Sequence, residues 1–304
     1  MYKLDRILCP TDFSDYSLAA VRFAAYAARE FGGSITLLYV DTFEKTPVGR
    51  FIMSDTERAE HRKIIKSYVY DRSREIISHL ELDPDQTHYL VRFGTSYREI
   101  ISEAEEGNYS AVALATQGLG YASPYLIGRT AERVVRLCRA PVITLRPHDH
   151  TPLQSVKTIL CPTDFSEYGN YAIPYAISLA RRFKSSIILL HATDLSVSQP
   201  DKLMEKFPDP LLYHEYAHEV TFERLVGRDV EPENTIERVV LEREVDLVVM
   251  GTHGARGLRR VQIGNTTEEV IRRLYVPVLS ITHPIHRTVF PRRFKDEFQD
   301  TEPT

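Results

Sequence analysis

The chain lacks most features of a secreted, membrane-spanning or nucleic-acid-binding protein. No apolar run reaches the roughly 18 residues that cross a bilayer, and residues 1–13 lack the apolar core of a signal peptide. The net charge of -4 gives no reason to expect nucleic acid as a partner. The three cysteines, Cys9, Cys138 and Cys161, lack metal-ligand spacing and indicate free core thiols. We therefore expect a cytoplasmic protein without a membrane or nucleic acid partner.

The usual signatures of a nucleotide-hydrolysing enzyme are also missing. The sequence has no Walker loop of the form Gly-x-x-x-x-Gly-Lys-Ser/Thr. It offers no evident general base, no acid pair and no set of carboxylates for a tightly held Mg²⁺. The 11 histidines show no metal-ligand spacing either. Efficient phosphoryl transfer and a protein-bound metal are therefore not indicated.

What the sequence does contain is an exact internal repeat. The octapeptide ILCPTDFS occupies residues 7–14 and again residues 159–166, half the chain apart. A repeat at this distance indicates two copies of one domain, each of a size common for a single core. We assign residues 1–147 to the first domain and residues 154–283 to the second. Residues 284–304 form a polar tail that is either mobile or docked on the surface.

Apolar strands and amphipathic helices alternate through each copy. Strands are predicted at residues 6–9, 34–40, 88–93, 111–115 and 141–145, and at residues 158–161, 186–192, 221–226, 246–250 and 277–281. Helices are predicted at residues 16–31, 55–82, 97–106 and 130–137, and at residues 168–183, 234–244 and 266–274. Prolines restrict residues 201–218 to a loop with short helical pieces. The α/β pattern predicts two tandem Rossmann-like domains, each a five-stranded parallel sheet with helices on both faces. The closing strands are apolar edges, so we expect them to join the domains as an intramolecular pseudo-dimer.

A glycine-rich loop in the second copy is the strongest candidate for binding chemistry. Gly251 and Gly254 follow the fourth strand, and after nine further residues Gly264 precedes a helix. Glycines allow a ligand to approach the backbone, and a helix N-terminus favours an anion. Three arginines add positive charge to the loop: Arg256, Arg259 and Arg260. The alternative is a turn that needs glycine for backbone geometry alone.

The other half of this site would follow the first strand of the second copy. The carboxylate of Asp164 could accept hydrogen bonds from a ribose hydroxyl or a base amino group. The alternative is that these residues cap the next helix, since Asp and Ser are preferred at that position. Capping explains Ser166 well and Asp164 less well.

With these residues the chain resembles the universal stress protein family in its tandem form, over about residues 1–147 and 154–283. Nucleotide-binding members carry Gly-x2-Gly-x9-Gly-(Ser/Thr), and here Asn265 replaces the Ser or Thr. The resemblance implies adenine and ribose contacts at Pro162, Thr163, Asp164, Ala192 and Met250. It implies phosphate contacts at Gly251, Gly254, Gly264, Asn265 and Thr266, with Thr252 and His253 in the same loop. For His253, a phosphate contact and a role in loop packing are both open.

The first copy departs further from the family pattern. Ala115 replaces the first glycine and Arg129 replaces the Ser or Thr. The methyl group of Ala115 could crowd a phosphate, and a positive φ there would be costly. Arg129 could pair with a phosphate or fill the pocket. The secondary candidates for cofactor binding are Pro10, Thr11, Asp12, Val40, Gly118, Gly128, Arg129 and Thr130.

The predicted function is that of a cytoplasmic stress-response protein. It would bind ATP or a related adenine nucleotide, with or without Mg²⁺, mainly in the second domain and as a sensor or switch. One alternative is a nucleotide-free interaction protein, and another is a slow ATPase or self-phosphorylating enzyme. A homodimer of the tandem chain is a further possibility.

Overall fold

The computed structural model describes residues 1–46, 49, 53–118, 127–146, 155–193, 201–254 and 264–286. Several sequence predictions fall outside these ranges. They are the three arginines of the second glycine loop (Arg256, Arg259 and Arg260), most of the linker between the domains, and the tail beyond residue 286.

Within the described residues, ten strands form one continuous sheet. The strands are β1 (Arg6–Pro10), β2 (Ser34–Asp41), β3 (Thr87–Phe93), β4 (Ala111–Ala115), β5 (Val142–Leu145), β6 (Thr158–Pro162), β7 (Ser186–Thr193), β8 (Phe222–Arg228), β9 (Leu247–Gly251) and β10 (Val278–Ile281). Their order is β3-β2-β1-β4-β5-β10-β9-β6-β7-β8. Each half is a five-stranded parallel sheet, which confirms the predicted fold class.

The two half-sheets meet at their closing strands, as expected from the apolar edges. β5 and β10 pair in antiparallel fashion, with Val278 opposite Thr144 and Leu279 opposite Ile143. This pairing reverses the strand direction between the halves. The carboxyl ends of the first five strands therefore lie at the opposite edge of the sheet from those of the last five.

The helices cover both faces of this sheet. In the described residues they are α1 (Asp15–Glu30), α2 (Asp55–His79), α3 (Ser96–Glu106), α4 (Arg129–Leu137), α5 (Glu167–Asn170), α6 (Ile173–Phe183), α7 (Asp201–Met204), α8 (Pro232–Glu242) and α9 (Asn265–Arg273). Capping sets where α2 begins, because Ser54 and Glu57 form a reciprocal capping box. No described helix is both long enough and apolar enough to cross a bilayer.

One predicted helix was wrong. Residues 168–183 form two helices, α5 and α6, rather than one. Pro174 lies in the first turn of α6, where its missing N–H costs nothing. In a continuous helix the same proline would remove a hydrogen bond to Asn170 and clash with its carbonyl. The break shortens α5 to a single turn beside the candidate site.

The core consists of two apolar clusters, one on each face of the sheet. The cluster beneath α1, α2 and α6 runs through both halves and includes Leu145 and Ile281 from the closing strands. The opposite cluster lies beneath α3, α4, α8 and α9. Cys9 and Cys161 are fully buried in the first cluster, and burial raises the pKa of Cys161 to about 12. These thiols are therefore protonated core side chains at neutral pH.

Arg146 ties the first domain to a helix of the second. Its guanidinium donates hydrogen bonds to the carbonyl oxygens of Arg272 (3.1 Å) and Arg273 (3.0 Å), at the end of α9. The same group lies 4.3 Å from the ring centroid of Tyr275. A positive charge at the end of a helix satisfies carbonyls that have no partner within the helix and also complements the helix dipole.

Replacing Arg146 by methionine should therefore destabilise the protein, although an unbranched apolar stem is kept. We expect a loss of roughly 2 kcal/mol in the free energy of unfolding, the usual scale for charged hydrogen bonds. Urea denaturation followed by circular dichroism measures it. Arg243→Met is the control, because Arg243 pairs with Glu223 in an exposed ion pair and should change stability by less than about 0.5 kcal/mol. Equal losses in the two variants would contradict a special role for Arg146.

Candidate functional site

The candidate site lies at the carboxyl ends of β6, β7 and β9. β6 is the central strand of these three, paired with β9 on one side and β7 on the other. In open parallel sheets, ligands bind in the crevice outside the carboxyl ends of the strands. The loops that follow β6 and β9 carry most of the predicted site residues, and the structure brings these two loops together.

Thr163 anchors the loop after β6. Its N–H donates to the carbonyl of Leu190 (2.8 Å), so the loop continues the strand pairing by one residue. Its hydroxyl donates to Oδ1 of Asn170 (2.6 Å) and accepts from the N–H of Phe165 (2.9 Å). Thr163 is buried, and these hydrogen bonds hold the start of the loop against β7 and α5.

Asp164 has a structural role that the sequence did not predict. Its Oδ1 accepts hydrogen bonds from the N–H (3.0 Å) and the hydroxyl (2.5 Å) of Ser166. Ser166 in turn caps α5 by accepting from the N–H of Gly169. Asp164 therefore orients the capping residue, and Asp12 does the same for Ser14 in the first copy.

The Asp164 carboxylate also packs against the glycine loop. A Cβ atom built on Gly254 would lie only 2.4 Å from Oδ2 of Asp164. In the first copy, a Cβ on Gly118 would lie 2.7 Å from Oδ2 of Asp12. The second glycine of each loop thus makes room for the carboxylate of the opposing loop. The two halves of the predicted site are adjacent in both domains.

The glycine loop is closed at its base by a backbone hydrogen bond. The N–H of Gly264 donates to the carbonyl of Thr252 (2.8 Å), and the first copy has the same bond from Gly128 to Thr116 (2.7 Å). Thr267 closes the loop a second time, because its hydroxyl donates to the carbonyl of Gly251 (3.0 Å). These bonds place the first turn of α9 directly beside the end of β9.

The remaining predicted residues differ in burial and in their positions on the strands and helix. Thr252 is buried, and its hydroxyl is 2.8 Å from Nδ1 of His253, which favours the loop-packing role for that histidine. Met250 is buried in the core beneath α8 and α9. The other predicted contacts occupy strand ends or the helix start: Pro162 ends β6, Ala192 is near the end of β7, and Asn265 and Thr266 begin α9. Their roles in ligand binding stay predictions.

Gly251 is needed for close packing and not for a positive φ. Among the described residues only Gly32 is a glycine with positive φ, so Gly251 adopts an ordinary conformation. A Cβ on Gly251 would instead lie 2.8 Å from the carbonyl oxygen of Tyr168 in α5. The constraint is therefore close packing, and Ala115 in the first copy carries no penalty from positive φ.

The first domain keeps the backbone bond at the base of the loop but has different side chains around it. Pro10 ends β1, Val40 lies near the end of β2, and the N–H of Thr11 pairs with Leu38 (2.9 Å). The start of α4 carries the exposed side chain of Arg129 followed by Thr130. Ala131 stands where the second domain has Thr267, so the side-chain closure of the loop is lost.

An aromatic pair beside the site is common to both domains and was missed by sequence reasoning. Phe165 stacks on His191, with ring centroids 4.0 Å apart and an angle of 17° between the planes. In the first domain Phe13 stacks on Tyr39 at 5.3 Å and 8°. Both phenylalanines have positive φ, 64° and 63°, a conformation that is costly for a bulky residue. The repeated phenylalanine in ILCPTDFS was the available signal.

His191 is held neutral by its position. Burial lowers its pKa below the ordinary value of 6.5, against the smaller opposing effect of the Thr163 carbonyl, 2.9 Å from Nδ1. Since a carbonyl only accepts, Nδ1 carries the proton of the neutral ring. Among the described residues, no group of three or more His, Cys, Asp or Glu could hold a metal ion.

The repeated arrangement of the two loops agrees with a family match that covers both halves of the chain. The universal stress protein family matches residues 3–146 and again residues 155–281. The chain belongs to the universal stress protein family. Membership in this family supports a role in the response to stress.

Individual universal stress proteins resemble either one half of this chain or all of it. Universal stress protein MJ0531 of Methanocaldococcus jannaschii is 30% identical over 144 residues, which cover 42% of this chain and 83% of the relative. Universal stress protein E homolog of Haemophilus influenzae is 22% identical over 298 residues, covering 90% of this chain and 95% of the relative. The crystal structure of a universal stress protein from Archaeoglobus fulgidus DSM 4304 has a TM-score of 0.69 at 22% identity, covering 92% of this chain and 97% of that one. These full-length matches support the tandem form of the universal stress protein fold.

The neutral state of His191 predicts a pH dependence that one substitution should remove. Because the folded-state pKa lies below the unfolded value of 6.5, His191 contributes stability above that pH and loses it as the pH falls further. His191→Tyr installs the residue found at the same position of the first domain. We expect the unfolding free energy of this variant to fall less steeply with acidification than that of the parent. An unchanged slope in His191→Tyr would show that this ring position does not couple to protonation.

Proposed function

We propose that the second domain binds ATP or a related adenine nucleotide in the crevice between the loops after β6 and β9. The observation that carries the proposal is the contact between Asp164 and Gly254, which aligns the two loops that the family motif assigns to the nucleotide. Binding acts as a sensor or switch in the stress response. The proposed activity is binding, because the motif residues of the site are suited to holding a nucleotide.

The crevice suits the phosphate end of a nucleotide. α9 begins at Asn265, and its N-cap residue Gly264 has no side chain that could bond to the first turn. The first N–H groups of a helix lack partners within the helix, and the helix dipole is positive at that end. With no side chain on Gly264, a phosphate can approach these groups closely. Asn265 is exposed at the start of the helix and offers an amide donor.

The crevice also suits the nucleoside end. Oδ1 of Asp164 already holds Ser166, while Oδ2 faces the glycine loop. That arrangement fixes the carboxylate at the mouth of the crevice, where a ribose hydroxyl could donate to it. The positive φ of Phe165 is a local cost of roughly 1–3 kcal/mol, and such strain is most often retained at binding sites.

Titration of the full-length protein with ATP, with and without Mg²⁺, tests the proposal by calorimetry. Gly254→Val should lower ATP affinity a hundredfold or more, on the order of 3 kcal/mol, because the side chain displaces the Asp164 carboxylate and enters the crevice. Gly264→Val should have a similar effect with less distortion of the loop. The nearest atom to a Cβ there is the Thr252 carbonyl oxygen, at 3.3 Å.

The first domain supplies matched controls. Gly118→Val and Gly128→Val change the equivalent glycines and should leave ATP binding by the second domain intact. Equal losses from these variants would contradict the assignment to the second domain. If the parent fails to bind millimolar ATP, the nucleotide-free interaction protein becomes the better account of the function.

A further inference from the structure

The last strand of the sheet, β8, has an outer edge with unpaired backbone groups. β8 follows β7 at the end of the strand order. Thr221, just before β8, accepts from β7 through its carbonyl (2.9 Å), and Asp229, just after it, donates to β7 through its N–H (3.2 Å). In a parallel pair, residues that bond to the neighbour alternate with residues whose N–H and C=O groups point away from it. The odd-numbered residues of β8 therefore face β7. The outward-facing backbone groups belong to Phe222, Arg224 and Val226.

A groove lies beside this edge. Within the described part of the chain, the three outward-facing N–H groups have no backbone partner. Two of the three residues line a groove of about 420 Å³, opposite the end of α7 and the turn that follows it. We call it the edge groove, defined by six of its lining residues: Met204, Pro210, Leu211, Ala217, Phe222 and Arg224.

The edge groove is mostly apolar and contains one cation that is available for pairing. Leu211 is 55% exposed on its rim. Arg224 is exposed and makes no ion pair with any residue in the described ranges. The other two polar side chains of the lining have local partners. Oδ1 of Asp209 accepts from the N–H of Leu211 (3.0 Å), and Nδ1 of His218 lies 2.8 Å from the carbonyl of Glu215. An extended segment that fits the groove therefore needs apolar side chains and a carboxylate for Arg224.

The chain itself carries a segment with this pattern, beyond the described residues. Residues 294–300 read FKDEFQD. Alternate residues of an extended segment share a face, so Phe294, Asp296 and Phe298 would point the same way. The face consists of two large apolar side chains with a carboxylate between them.

The spacing on β8 is complementary to that face. Phe222, Arg224 and Val226 also alternate along their strand, with the cation between two apolar side chains. Pairing in either direction places Asp296 opposite Arg224. Each phenylalanine of the segment then lies opposite an apolar residue of β8, and cross-strand pairs of both kinds are stabilising.

The segment is also close enough along the chain to reach the edge. His283 packs on Tyr168 and Tyr171, with ring centroids 5.2 and 4.6 Å apart, so the chain leaves β10 toward the helices that follow β6. A strand added outside β8 would lie three strand spacings from β6, about 14 Å. Residues 287–293 can span up to about 23 Å when extended. The connection is therefore long enough.

We propose that residues 294–300 pair with the outer edge of β8 and place a phenylalanine side chain in the edge groove. The pairing satisfies the outward backbone groups and gives Arg224 a carboxylate partner. Unpaired edges otherwise invite pairing with another chain. The segment thus occupies the place at which an extended peptide or a second copy could add a strand.

Hydrogen exchange of the full-length protein, followed by mass spectrometry without nucleotide, tests the proposal. In the fragment covering residues 221–228, the outward amides should exchange about tenfold or more slowly than freely exposed amides. Asp296→Arg and Arg224→Asp should each abolish this slowing, because like charges would then face each other. The double variant Arg224→Asp/Asp296→Arg should restore it. Amides that face β7 stay paired and should not change.

Glu297→Arg is the matched control, since it makes the same charge reversal on the opposite face of the segment and should keep the slow exchange. Fast exchange of the outward amides in the parent would overturn the proposal. So would slow exchange that survives in Asp296→Arg, or a double variant that fails to restore it. Slow exchange that is lost on dilution would assign the edge to a second copy and would overturn it as well. Thermal unfolding checks that the variants keep the fold, as expected for the exposed Arg224.

Discussion

The antiparallel pairing of β5 with β10 is the constraint on which the rest of the structure depends. Each half ends in a short apolar strand whose outer edge would otherwise expose unpaired backbone groups. Joining these edges creates one ten-stranded sheet and lets a single apolar cluster run through both halves. Arg146 can reach the end of α9 because of the same pairing. A change that separated these strands would therefore expose core surface in both domains at once.

The pairing also separates two surfaces that have diverged. Strand direction reverses at the join, so the carboxyl ends of the two half-sheets face opposite edges. One edge carries the crevice of the second domain, with its three glycines and the Asp164 carboxylate. The other edge carries the start of α4, where Arg129 and Arg133 replace Asn265 and Glu269. The two domains share a scaffold but differ in charge at the helix starts.

Local signals accounted for most of the fold. Strands and helices followed from apolar runs and helical periodicity, and the exact repeat indicated the two-domain organisation. The single long helix predicted at residues 168–183 was wrong because one proline outweighed an otherwise helical pattern. The packing of Asp164 against Gly254 could not be predicted, since these two residues are remote in sequence.

The sequence by itself determined the α/β class, the tandem repeat, the family resemblance and the candidate loops. These features depend on periodicity and on residues close together along the chain. Only the tertiary structure decided why the glycines are needed, because the crowding at Gly251 and Gly254 comes from Tyr168 in α5 and from Asp164 in the loop after β6. It also decided that Met204, Ala217 and Arg224 line one groove, since they come from three separate segments. Spatial proximity between distant segments arises from packing, and neither composition nor spacing contains it.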